Sequence, residues 1–146
     1  MSEGYTEGAR RAIFSARAQA MRYGSLCIES EHILLAILDE GKPQVDRLFG
    51  DGTSVESLRK EIEKNLAIHS SISGAVDIPL TAESQQILKL AFEEADELGH
   101  KQVGFEHLLL GILQVESCVA AKILFMHETT TAAMRTEAIR AAQKTQ

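Results

Sequence analysis

The chain has no tryptophan, only two prolines and two cysteines, and aromatic residues make up just 5% of its 146 positions. So few aromatics leave Ala, Leu and Ile to fill the core, and these residues suit packed helices. Cys27 and Cys118 form no CxxC pair. Nor do they fall at matching positions of the repeat described below, so two reduced, partly buried thiols are favoured over a disulfide or a metal site. A basic excess is also missing. The formal net charge is −6, and each half of the chain is acidic, so the electrostatic footprint of a nucleic-acid binder is absent. No apolar stretch approaches the ~18 residues of a membrane span. Met1–Tyr5 has no apolar signal region. The expectation is a cytosolic protein without nucleic-acid or membrane partners. Walker A, GxSxG and HExxH patterns are all lacking, so no catalytic residue, cofactor or metal is expected, and a small helical enzyme is the least favoured reading.

What the chain does contain is a repeat. "SEHILLAIL" at Ser30–Leu38 returns as "FEHLLLGIL" at Phe105–Leu113, with Glu31 and Glu106 75 positions apart. The same offset aligns Thr6–Leu38 with Thr81–Leu113 without a gap. Ten pairs are identical, among them Thr6/Thr81, Ala16/Ala91, Ala20/Ala95, Gly24/Gly99, Glu31/Glu106 and His32/His107. Two copies are too few for a solenoid. The reading is one all-α domain over 1–146, built as two pseudo-twofold-related four-helix repeats at 5–66 and 81–142, with a linker at 67–80.

Helical periodicity places the elements. Thr6 is expected to cap a helix carrying Ala9, Ile13, Ala16 and Ala20, and Gly24 to follow its end. Ser30 is expected to cap the second, with Ile33, Leu34, Ile37 and Leu38 on one face and Gly41 at the end. Pro43 fits the first turn of a short third helix with Val45, Leu48 and Phe49. Ser54 can cap a fourth, with Val55, Leu58, Ile62 and Leu66 inward. In the second copy Thr81 opens a helix carrying Ser84, Leu88, Ala91 and Ala95. The next carries Leu108, Leu109, Ile112 and Leu113. Another runs from about Ser117 to Met126, and the last holds Met134, Ala138 and Ile139. Leu35 and Leu110 widen the apolar face, so the two Glu-His helices should be nearly surrounded. Ala67–Leu80 reads as a surface linker.

Glu31 and Glu106 fall in the first turn of an apolar helix, where unpaired backbone N–H groups and the helix dipole favour a carboxylate. That does not explain why both copies follow Glu with His. His32 and His107 read as structural histidines at an inter-helix seam. Arg10, Arg11, Arg17 and Arg22 read as solvated faces, and Glu93, Glu94, Asp96 and Glu97 as an exposed acidic one.

The duplicated pattern of a threonine-opened helix, a glycine, then Glu-His-[Ile/Leu]-Leu-Leu-x-[Ile/Leu]-Leu resembles the Clp N-terminal domain, nearest to its ClpC type. This domain precedes the AAA+ modules of Clp unfoldases. The resemblance spans Tyr5 to about Ile139. It implies a non-catalytic domain, monomeric in isolation, that docks substrate polypeptides or adaptor proteins for a Clp ATPase and peptidase. It also implies a phosphoarginine pocket in each repeat, with Glu31 and Thr6 in one and Glu106 and Thr81 in the other. The glutamate would meet the guanidinium and the threonine the phosphate. Three departures bear on phosphate binding. Where the family usually has Gly-Thr before Glu-His, this chain has Glu29-Ser30 and Gly104-Phe105. Where the family carries a basic residue after the second threonine, it has Ala82-Glu83-Ser84. A stand-alone regulator that binds the Clp peptidase or unfoldase is the alternative.

Overall fold

The computed structural model describes residues 4–50, 54–66 and 78–144. The described residues form eight helices and no strand: α1 Glu7–Arg22, α2 Ser30–Glu40, α3 Gln44–Phe49, α4 Val55–Asn65, α5 Ala82–Glu97, α6 Phe105–Gln114, α7 Val119–Met126 and α8 Thr131–Lys144. The expected capping residues explain several boundaries. Thr6 Oγ1 accepts from Ala9 N at 3.1 Å, Ser54 Oγ from Ser57 N at 3.2 Å, and Thr81 Oγ1 from Ser84 N at 3.1 Å. Each satisfies a donor that the helix itself leaves unpaired. Gly24 and Gly99 follow α1 and α5 with φ of 71° and 73°, a conformation cheap only for glycine.

The helices pack as two interlocked halves. α1 lies against α2 and α5 against α6, and α2 and α6 meet at the centre. Contacts between the halves come in pairs under the exchange α1/α5, α2/α6, α3/α7 and α4/α8. Thus α2 meets α5 as α6 meets α1, and α4 meets α7 as α8 meets α3. Two isolated backbone bridges obey the same 75-residue exchange, Tyr5 with Val103 and Ile28 with Leu80. Ile33–Leu38 and Leu108–Leu113 are buried without a break, so the Glu-His helices are surrounded, as the width of their apolar face predicts.

Several residues depart from their expected places. Ser30 is the first residue of α2, not its cap; Glu29 holds that position. In α5 Ile87 is fully buried, while Leu88 is only half-buried. Gly111 explains this, because a Cβ there would collide with the Ile87 carbonyl and crowd Ala91 N. Glycine lets α5 and α6 approach along the Ile87–Ala91 line. Glu94 does not belong to an exposed face. It is 4% exposed, accepts from Gln114 Nε2 at 2.7 Å and pairs with Arg135 Nη2 at 2.5 Å, which ties α5 to α6 and α8. Ile139 faces outward. Within the predicted linker, 67–77 lie outside the described residues. Ile78 is buried and Leu80 is bridged to Ile28, so this end of the linker belongs to the core and not to the surface.

Candidate functional site

The Glu-His motif is explained first by its histidines. His32 Nδ1 accepts the backbone N–H of Glu29 at 2.9 Å, and His107 Nδ1 accepts that of Gly104 at 2.9 Å. In each case the imidazole, at the third helical position, reaches back to the residue before the helix, the task Glu or Gln performs in a capping box. An accepting Nδ1 puts the proton of the neutral ring on Nε2. For His107 that proton points to His100 Nδ1, 2.7 Å away. Both rings are about 1% exposed, and burial lowers both pKa values to about 4. His100 also lowers the His107 value, and Glu94 opposes. Glu106 Oε1 lies 3.2 Å from His107 Nδ1. These rings are neutral at pH 7, so they serve as helix caps and neither metal ligation nor proton transfer is needed to account for them.

The glutamates beside them are placed differently in the two copies. Glu31 is 8% exposed, and its Oε1 accepts from Ser30 Oγ at 2.8 Å. Ser30 Oγ in turn accepts from Ala120 N at 3.2 Å, which fixes α2 against α7 of the other repeat. Glu106 folds back over Gly104, where a Cβ would collide with its carboxylate. Burial raises the Glu106 pKa, while a bond from its own backbone N–H opposes. Neither glutamate forms an ion pair with Lys or Arg among the described residues.

The bridges decide which threonine stands beside which glutamate. Thr6 N donates to Val103 O at 2.9 Å and Val103 N donates to Gly4 O at 2.8 Å, so Thr6 sits at the loop leading into Glu106. Thr81 N donates to Ile28 O at 3.2 Å and Ile28 N to Pro79 O at 2.8 Å, so Thr81 sits at the loop leading into Glu31. Each site is therefore shared between repeats, with Thr6 beside Glu106 and Thr81 beside Glu31. The sequence reading paired them within one repeat, because local alignment carries no information on which halves exchange partners.

The surroundings of the two sites also differ. At the Thr81–Glu31 site the Thr81 hydroxyl donates to Ser84 Oγ at 2.9 Å, and Ser84 Oγ donates to Ile28 O at 2.8 Å. Glu83 accepts from Ser117 Oγ at 2.6 Å. Burial first, then Glu31 and Glu83, push the Glu29 carboxyl pKa up, so three carboxylates share this corner. At the Thr6–Glu106 site Phe105 packs so closely on Gly8 that a Cβ there would meet its ring at 2.8 Å. Tyr5 sits edge-on to Phe92 at 4.9 Å. Sequence reasoning missed Ser30 as the support of Glu31 and Gly104 as the support of Glu106. Only Gly104 left a signal, as the position where the copies differ between Glu29 and Gly.

An all-α pair of interlocked helical repeats, with a carboxylate at each of two symmetry-related helix starts, defines the class. The chain belongs to the Clp repeat (R) N-terminal domain family, whose profile matches residues 4–127. It is 36% identical over 141 residues to the chloroplastic ATP-dependent Clp protease ATP-binding subunit ClpA homolog of Brassica napus, and equally so to the chloroplastic chaperone protein ClpC1 of Arabidopsis thaliana. Each alignment covers 96% of this chain but only 16% and 15% of those proteins. The N-terminal domain of the Arabidopsis thaliana chaperone ClpD has the same fold, with a TM-score of 0.74 at 20% identity, covering 95% of this chain and 94% of that one.

Proposed function

We propose that this domain is a non-catalytic docking module, which presents substrate polypeptides or adaptor proteins to a Clp-type ATPase and its peptidase by holding basic side chains at Glu31 and Glu106. The observation that carries the reading is the state of these two carboxylates. Both are buried or largely so at a helix start, and neither has a cationic partner among the described residues. Buried acids are ordinarily paired. A guanidinium fits such a group because a carboxylate can accept two parallel N–H bonds. Thr6 and Thr81 stand across each site on the opposite repeat. Their hydroxyls are engaged as helix caps, Thr81 is followed by Ala82-Glu83-Ser84 without a basic residue, and Glu29 and Glu83 add negative charge at the Thr81–Glu31 corner. Unmodified arginine is therefore the favoured ligand there. Phosphoarginine is better tolerated at the Thr6–Glu106 site, which lacks that excess.

Calorimetric titration with an arginine-containing peptide and its phosphoarginine form tests this. Glu31→Ala should abolish the tighter binding of the unmodified peptide, and Glu106→Ala the binding of the phosphorylated one. Equal affinities in native protein and double variant, with folding intact, would leave the glutamates as helix-start residues only. A regulator that binds the Clp peptidase directly is the second reading, and capture of the peptidase by the Glu31→Ala/Glu106→Ala protein would favour it.

A further inference from the structure

We propose that the cleft between α3 and α8 is a separate recognition site, which takes the aliphatic stem and ammonium head of a lysine side chain from a partner polypeptide. The cleft has a volume of about 150 Å³. That is on the scale of cavities that hold a benzene-sized group. It lies across the seam between the repeats, and none of its lining residues belongs to either glutamate site. Leu48 and Met134 are buried in its lining and Phe49 is half-buried beside them, an apolar surface on which methylenes can lie.

Three oxygen-bearing side chains join this lining. Thr129 is only 7% exposed, and its Oγ1 has no hydrogen-bond partner. A buried hydroxyl without a partner is costly and rare, so this one points to a missing ligand. Glu128 is exposed and forms no ion pair among the described residues. It occupies the left-handed position that ends α7, with φ 63°, where glycine is the usual residue. Glu137 accepts from Arg140 Nη1 through Oε1 at 3.0 Å, which partly neutralises it. Two carboxylates exclude an anionic ligand and attract a cation. An ammonium carries three donors and no acceptor, matching one hydroxyl and two carboxylates. It is also a compact charge suited to oxygens set around a cleft, whereas a planar guanidinium suits one carboxylate edge.

The test is an amide NMR titration of the protein with acetyl-Ala-Lys-Ala-amide, run beside acetyl-Ala-norleucine-Ala-amide, which keeps the stem and removes the charge. Saturable shifts are expected at Glu128, Thr129 and Met134 with the lysine peptide, and affinity roughly tenfold lower or worse with the norleucine peptide. Glu128→Gly removes a carboxylate while relieving the positive φ, so its melting temperature should hold or rise as lysine binding weakens. Glu137→Gln should weaken binding in the same direction. Equal affinity for the two peptides overturns the proposal. So does unchanged binding in a folded Glu128→Gly/Glu137→Gln protein, or the absence of saturable shifts in this cleft.

Discussion

Acid should unfold this domain through its two capping histidines. His32 and His107 titrate near 6.5 in an unfolded chain and at about 4 in the folded one. Between those values the unfolded state binds more protons, so stability is complete above the unfolded pKa and is lost as pH falls toward the folded one. Linkage gives about 2 kcal/mol lost per histidine by about pH 5, or about 4 kcal/mol for the pair. That is a large share of the roughly 5–15 kcal/mol that holds a typical domain. The raised Glu106 and Glu29 pKa values act with the opposite sign, because a carboxyl that is easier to protonate when folded gains stability on acidification. The histidine effect is the larger because each buried ring moves from 6.5 to about 4, needing its neutral Nδ1 as an acceptor. The assay is urea unfolding followed by circular dichroism, from about pH 7.5 down to about pH 4.5. A His32→Gln/His107→Gln protein is the control. Glutamine can reach back to the same backbone N–H groups but cannot be protonated. Its profile should be nearly flat or rise slightly in acid. A native profile flat over this range, or a variant that falls as steeply as the native protein, would refute the assignment.

Three further outcomes follow from the packing. Leu109→Ala, at a position with no exposed surface, should cost about 2–5 kcal/mol, read as a lowered denaturant midpoint at constant slope. Gly111→Ala should cost about 1–3 kcal/mol by the same measurement, since its Cβ would collide with the α5 backbone, which cannot move aside as a side chain can. Gly104→Ala should behave differently. It evicts only the tip of the flexible Glu106 side chain, so calorimetry should show weaker peptide binding at the Thr6–Glu106 site while the unfolding free energy changes by less than about 1 kcal/mol.

How much was legible in the sequence depends on how local each cause is. Thr6, Ser54 and Thr81 cap helices through bonds spanning three residues, so their roles could be read from spacing alone. The 75-residue offset likewise determined the all-α duplicated fold, because identical apolar spacing demands identical helices. The His-to-backbone bonds also span three residues, yet they were read as an inter-helix seam, since histidine is an uncommon partner for that contact. Tertiary structure decided what depends on residues distant in the chain. The exchange that sets Thr81 beside Glu31 and Thr6 beside Glu106 rests on two bridges between segments far apart in sequence. The burial of Glu94 depends on Arg135, 41 positions away, and the hold of Ser30 on α7 spans 90. Sequence periodicity shows which face of a helix is apolar. Which partner meets that face, and which polar groups are caught in the join, is settled only when the two repeats interlock.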